Sequence, residues 1–232
     1  MKERVIWGGI AAAIFLPFLI IGSLPFQLFV GVLAMIGVSE LLKMRRLEIF
    51  SFEGVFAMLA AFVLTVPMDH YLTSLPIDAS FAGYGIIVFF LLAGTVLNSS
   101  AYSFEDATFP IAASFYVGIG FQNLVNARLS GIDKVLLALF IVWATDIGAY
   151  MIGRQFGKRK LLPRISPNKT IEGSLGGIAC AVLTSFVFML IDRSVYAPHH
   201  FFVMLLLVAL FSIFAQFGDL VESAIKRHFG VK

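Results

Sequence analysis

The chain has 232 residues, of which 59% are hydrophobic and only 13% are charged, and its mean hydropathy is +0.94. A soluble domain usually carries about 25% charged residues, so this chain lacks the charge to cover a water-facing surface. Its apolar residues also fall in long blocks, which predicts an all-α, polytopic membrane protein. The single cysteine, Cys180, excludes an intrachain disulfide.

The hydropathy pattern predicts about eight transmembrane helices, the first of them an uncleaved span near the N-terminus. They are expected near residues 5–21, 25–42, 52–67, 81–97, 107–125, 135–152, 174–191 and 201–218.

The basic residues predict the orientation of these spans. With the N-terminus in the cytoplasm and eight spans alternating, fourteen of the seventeen Lys and Arg residues fall on the cytoplasmic side. Only Arg128, Lys134 and Arg193 fall on the outer side. This bias is what the positive-inside rule requires, so we expect a cytoplasmic N-terminus.

The segment 153–173 is a predicted cytoplasmic loop that holds six basic residues and one acid. One interpretation is a patch that contacts anionic lipid headgroups. The glycines, prolines and hydroxyls interleaved with these cations favour a loop that holds phosphates at defined positions. We take the ligand site as the better interpretation and keep the lipid patch as the alternative.

Two acidic side chains lie where a charge is costly. Asp146 falls inside the sixth span, and helical spacing places it on one stripe with Tyr150 and Arg154. An Asp–Arg pair that serves only packing is the alternative. A second acid, Asp219, lies beside Gly218 at the cytoplasmic end of the eighth span, deeper than Glu222. Helical spacing puts Asp219 on one face with Glu222, Ser223 and Lys226, where a Glu222–Lys226 pair is also expected.

These two carboxylates, both near a polybasic loop, predict a divalent cation held together with substrate phosphates. Other chemistries lose support because their motifs are absent from the sequence. There is no P-loop, no H-E-x-x-H or Cys/His cluster for zinc, and no G-x-S-x-G nucleophile motif.

Two polar blocks resemble the bacterial phosphatidate cytidylyltransferases, also called CDP-diacylglycerol synthases. The first, residues 143–174, reads WATDIGAYMIGRQFGKRKLLPRISPNKTIEGS, and the second, residues 218–227, reads GDLVESAIKR and is followed by Val231 and Lys232. The N-terminal half is similar only in its general pattern of spans. In the family the second block continues through further acidic residues, so we expect a longer protein to complete the site.

The resemblance implies that CTP and phosphatidate react to give CDP-diacylglycerol and pyrophosphate, with Mg²⁺ required and a second cation left open. It implies a homodimer among the lipids of a bacterial inner (cytoplasmic) membrane, with its active face in the cytoplasm and no nucleic-acid partner. It also implies one transmembrane domain over 1–232, with 1–130 as N-terminal scaffold helices that face lipid and 131–232 as the catalytic part.

The resemblance also assigns residues. Asp219 and Asp146 would be metal ligands and, with Lys226, catalytic residues. The substrate-binding residues would be Tyr150, Arg154, Lys158, Lys160, Ser166, Lys169, Thr170, Glu172, Glu222, Ser223 and Arg227.

Three other functions stay open. A transporter would use Asp146 and Asp219 to line a membrane passage, but the outer loops offer few matching charges. A CDP-alcohol phosphotransferase would need an aspartate-rich pattern that the sequence lacks. A non-catalytic membrane scaffold is the third alternative.

Overall fold

The computed structural model describes residues 2–68, 71, 78–197 and 199–231, with side chains from residue 6 onward. The turn expected from Pro67 to Asp78 lies largely outside these residues, as does Lys232. The described residues form eight α-helices and one short β-hairpin. The helices are α1 (Lys2–Ile21), α2 (Ser23–Met44), α3 (Phe52–Thr65), α4 (Ala79–Leu97), α5 (Phe104–Ser130), α6 (Ile132–Phe156), α7 (Ile171–Ile191) and α8 (Phe201–His228).

Polar side chains fix where several helices begin. Ser51 accepts a hydrogen bond from Gly54 N–H at the start of α3, and Asp78 accepts one from Phe81 N–H at the start of α4. Ser103 and Asp106 form a reciprocal capping box at the start of α5. These side chains satisfy backbone donors that the first helical turn leaves unpaired.

The chain divides into two compact units, Met1–Ile132 and Asp133–Lys232. In the first unit, α2 and α3 pack through small and branched side chains, and Phe109, Val117 and Phe121 of α5 pack against them. The buried cluster there comprises Ala34, Val38, Leu42, Ala57 and Ala61.

The second unit contains α6, α7, α8 and the hairpin. Its apolar core includes Leu137 and Ile141 of α6, Ala181 and Met189 of α7, and Val208 of α8.

Close backbone approach joins α6 to α7. A Cβ atom added to Gly177 would lie 2.7 Å from the carbonyl oxygen of Thr145, and one added to Gly148 would lie 2.6 Å from the Cβ of Cys180. Small residues at helix contacts of this kind are typical of membrane proteins, where association depends on close packing. Cys180 is accordingly a small packing residue.

Five of the helices are long and apolar enough to cross a membrane, by length and composition: α2, α4, α6, α7 and α8. The helix α3 has only 14 residues, about 21 Å at 1.5 Å per residue, against a hydrocarbon core of about 30 Å. The apolar part of α1, Ile6–Ile21, is also shorter than those five. A polytopic membrane protein is therefore confirmed, whereas the count of eight spans remains a prediction.

One feature departs from a purely helical chain. The segment expected as the loop 153–173 begins inside α6 and ends inside α7, and between them lie two antiparallel strands. These are β1 (Lys160–Leu162) and β2 (Ser166–Thr170), paired with Lys160 opposite Thr170 and Leu162 opposite Ser166. Backbone pairing between these strands gives the segment a fixed geometry.

Candidate functional site

A cavity of about 520 Å³ opens in the second unit between α6, β2, α7 and α8. We call it the polar cavity. It brings together side chains that are far apart in the sequence and belong to both predicted blocks. Six predicted site residues line it, namely Asp146, Tyr150, Arg154, Lys169, Thr170 and Asp219.

The charges in the polar cavity are arranged around Asp219. Lys169 of β2 forms an ion pair with the Asp219 carboxylate of α8. Asp146 of α6 lines the same cavity as this pair. The side chain of Asp219 remains 50% exposed and that of Lys169 27% exposed, so a ligand in the cavity could reach both.

The α6 wall of the cavity carries a tyrosine and an arginine one turn apart. The Arg154 guanidinium donates to the Tyr150 hydroxyl at 3.4 Å, and both side chains are exposed. The helical stripe predicted for Asp146, Tyr150 and Arg154 therefore places all three on the cavity wall. A guanidinium at this edge offers several N–H donors to a phosphate.

The hairpin is held at its base by side chains of the first turn of α7. Glu172 accepts hydrogen bonds from the backbone N–H groups of Lys158 and Arg159, at 3.0 and 3.1 Å. Thr170 caps α7 by accepting from Gly173 N–H at 3.1 Å. Thr170 is buried against Gly153 and Gly157. These contacts fix β2 and so position Lys169.

A second cavity, of about 360 Å³, lies between the turn of the hairpin and the last turns of α8. Ser166, Ser223, Lys226 and Arg227 line it, and Arg227 Nε donates to the carbonyl oxygen of Ile165 at 3.4 Å. The face predicted for Asp219, Ser223 and Lys226 is thus shared between two cavities.

Four predicted substrate-binding residues do not line either cavity. Glu222 forms the expected ion pair with Lys226, and Glu172 bonds the backbone as described above. Lys158 and Lys160 are exposed on the hairpin side of the unit. The structure therefore separates residues at the cavities from residues that support or surround them.

Two residues at the polar cavity were missed by the sequence analysis. Gln216, which is 8% exposed, donates from Nε2 to the Ser174 carbonyl oxygen at 3.3 Å. Asn168 lines both cavities. Helical spacing could have revealed Gln216, because it is a polar residue three positions before Asp219 in an otherwise apolar span.

The donor set suits a hard cation that is shared with phosphates. Across residues 2–68, 71, 78–197 and 199–231, no group of three or more His, Cys, Asp or Glu side chains could hold a metal ion. Two carboxylates, Asp146 and Asp219, nevertheless line one cavity. Mg²⁺ is usually bound through one or two carboxylates plus substrate phosphates and water, so the residues present fit this ion.

Comparison with known proteins identifies the family. The sequence profile of the cytidylyltransferase family matches residues 2–232. The chain belongs to this family. The phosphatidate cytidylyltransferase of Staphylococcus epidermidis is 42% identical over all of this chain and 87% of its own length. Those of Staphylococcus haemolyticus and Bacillus subtilis are 40% and 35% identical, again over all of this chain and over 87% and 86% of their own lengths.

Proposed function

We propose that this chain is a phosphatidate cytidylyltransferase, which transfers the cytidylyl group of CTP to phosphatidate to give CDP-diacylglycerol and pyrophosphate. The observation that carries the proposal is the polar cavity, where Asp146, Asp219, Lys169 and Arg154 meet in a member of the cytidylyltransferase family. Full-length similarity to three phosphatidate cytidylyltransferases supports the choice of lipid substrate.

The reaction needs no nucleophile from the protein. An oxygen of the phosphatidate phosphate forms a bond to the α-phosphorus of CTP, and the bond from that phosphorus to the bridging oxygen of the β-phosphate breaks. Pyrophosphate leaves with the electron pair. Catalysis of such a transfer depends on positioning the two substrates and on neutralising the negative charge of their phosphates. Lys169 and Arg154 on the cavity wall can do both.

Asp219 and Asp146 are the side chains that would hold Mg²⁺, which supplies charge neutralisation at the phosphates when bound. Lys169 and Arg154 bind phosphate oxygens from two sides of the polar cavity, and Tyr150 orients the Arg154 guanidinium. Lys169 can leave Asp219 and turn to a phosphate, because its side chain lies in the same cavity.

The remaining predicted residues have supporting roles in this proposal. Ser166, Ser223, Lys226 and Arg227 contribute a second phosphate-binding surface beside the hairpin. Thr170 and Glu172 order the hairpin through the bonds to Gly173, Lys158 and Arg159. Glu222 orients Lys226, while Lys158 and Lys160 attract the polyanionic nucleotide to this face.

The decisive experiment measures incorporation of radiolabelled CTP into lipid by the purified protein, with phosphatidate and Mg²⁺. A labelled product that requires both phosphatidate and a divalent cation is expected. Diacylglycerol replaces phosphatidate in the control, since it has no phosphate to attack CTP. The assay is run on the 232-residue chain and on a version that continues beyond Lys232 as the family resemblance implies. Absence of phosphatidate-dependent product from the folded, extended version would overturn the proposal and favour a non-catalytic scaffold.

We further propose that the chain crosses a bacterial inner membrane eight times and forms a homodimer, with its N-terminus and polar cavity on the cytoplasmic side. The distribution of Lys and Arg supports this orientation. Single cysteines, in a Cys180→Ala background, provide the test. We expect Arg159→Cys to react with an impermeant maleimide only from the cytoplasmic side, and Arg193→Cys only from outside.

A further inference from the structure

A third cavity, of about 360 Å³, lies in the second unit away from the residues assigned to the reaction. Its walls come from the N-terminal half of α6, the turn that precedes α8, and the first half of α8. The lining is apolar except for Lys134 and His199. We call it the apolar cavity.

The apolar cavity has a packed inner wall and a wall open to the surroundings. Leu137 and Ile141, on the inner side, are 7% and 4% exposed and belong to the core of the unit. Val142 and Phe211, which also line it, are 42% and 50% exposed. Apolar side chains exposed on this wall of a membrane protein are suited to contact with hydrocarbon. The cavity can therefore admit a lipid chain from the bilayer.

The polar end of the apolar cavity carries an available cation. Lys134 lies two residues after the first residue of α6, a candidate membrane span, and is exposed. It forms no ion pair with any side chain in the described part of the chain. The helix rises about 12 Å from Lys134 to Val142. One lipid molecule can therefore place its headgroup at Lys134 and its acyl chain beside Val142.

Local structure fixes the mouth of the apolar cavity. The Ser194 backbone N–H donates to Asp192 at 2.9 Å and the Ser194 hydroxyl donates to Asp133 at 3.0 Å, which ties the turn before α8 to the start of α6. Val195 of this turn is 2% exposed and lines the cavity. Asp133 and Asp192, the two acids near the mouth, thus accept hydrogen bonds from Ser194. Lys134 pairs with neither of them and can bind an external anion.

We propose that the apolar cavity binds one acyl chain of an anionic glycerophospholipid, whose phosphate is held by Lys134 with His199 beside it. An apolar cavity with a single cation at the level of the lipid headgroups favours an amphiphile with a negatively charged headgroup. This site is separate from the proposed reaction, because its residues do not overlap with those of the polar cavity.

Native mass spectrometry of the delipidated full chain, titrated with phosphatidylglycerol or phosphatidylcholine, tests the proposal. We expect one phosphatidylglycerol to be retained in preference to phosphatidylcholine. Lys134→Gln should weaken phosphatidylglycerol binding about fivefold, as the loss of one cation near an anionic headgroup implies. Ala138→Trp, which fills the cavity from its lining, should remove binding of both lipids at this site.

Arg193→Gln is the matched control, because Arg193 is an exposed cation at the same turn but is not among the residues that line the apolar cavity. Its phosphatidylglycerol affinity should equal that of the unmodified protein. Equal retention of the two lipids, or an equal effect of Lys134→Gln and Arg193→Gln, would overturn the proposal. The comparison of these two variants is sufficient even if Ala138→Trp does not fold.

Discussion

Lys169 of β2 and Asp219 of α8 form an ion pair across the polar cavity, although fifty positions separate them in the sequence. The pair joins the hairpin to the helix that carries one of the proposed metal ligands. Both partners are only partly buried, so the pair is weak compared with what either group gains from a phosphate or a divalent cation. We infer that substrates replace this contact rather than add to it.

Asp219→Asn should lower phosphatidate-dependent turnover by on the order of 100-fold or more, the scale seen when one preorganised electrostatic group is removed. The amide keeps the shape but loses the charge that holds a divalent cation. The measurement is the CTP-incorporation assay at several Mg²⁺ concentrations. Glu40→Gln, which removes an exposed carboxylate that pairs with Lys43, is the control and should retain activity. Near-normal turnover of Asp219→Asn would show that the metal-ligand assignment is wrong.

Lys169→Gln should reduce kcat/KM for CTP about 10- to 100-fold, because a charge-assisted hydrogen bond to a phosphate is worth about 1.5–3 kcal/mol. The variant also frees Asp219, so its apparent affinity for Mg²⁺ should not fall. Steady-state kinetics with CTP varied at saturating phosphatidate and Mg²⁺ provide the measurement. Lys43→Gln, at an exposed i, i+3 pair, should leave kcat/KM unchanged. A loss of Mg²⁺ affinity without a change in kcat/KM would contradict the phosphate role.

Much of the site could be predicted from sequence because the chain is so apolar. Any charge within a span is costly there, so Asp146 in the sixth span is evident without a structure, and so is Asp219 at the end of the eighth span. Helical spacing then places Tyr150 and Arg154 beside Asp146, and the structure has all three on one cavity wall. The helical fold and several membrane spans follow from the same apolar blocks.

The hairpin and the division of the site into two cavities could not be predicted in this way. The segment from Lys160 to Thr170 lacks an apolar alternation of period two that would indicate strands. Its two strands depend instead on contacts with α7, such as those of Glu172 with the backbone of Lys158 and Arg159. Such contacts depend on tertiary structure, which is also why sequence spacing missed Asn168.

The glycines of α7 provide a test of close helix packing. Gly177→Ala should lower the apparent Tm, because the new Cβ would lie 2.7 Å from the Thr145 carbonyl oxygen, and overpacking typically costs about 1–3 kcal/mol. Thermal unfolding in one detergent at a fixed heating rate measures the effect. Gly120→Ala is the matched control, since an added Cβ meets nothing within 4 Å there. Its apparent Tm should stay the same or rise, as helix propensity favours alanine.

A buried hydroxyl pair links α6 to α8 close to the polar cavity. The Oγ1 of Thr145 and the Oγ of Ser212 are 2.7 Å apart, and both residues are fully buried. The Thr145 hydroxyl donates to the Ile141 carbonyl oxygen at 2.6 Å, so the Ser212 hydroxyl is the donor to Thr145. Ser212 lies one helical turn before Gln216, so this pair helps to set the position of the cavity-lining part of α8.

A double-mutant cycle with Thr145→Val and Ser212→Ala should give a coupling energy of about 0.6 kcal/mol, the average found for interhelical hydrogen bonds in a membrane protein. Equilibrium unfolding in mixed micelles with increasing SDS is the measurement. Thr145→Val combined with Ser185→Ala is the control cycle, because the buried Ser185 hydroxyl has no hydrogen-bond partner among the described residues. That cycle should be additive within about 0.3–0.5 kcal/mol. Additivity in the Thr145–Ser212 cycle as well would show that this contact does not stabilise the packing of α8 on α6.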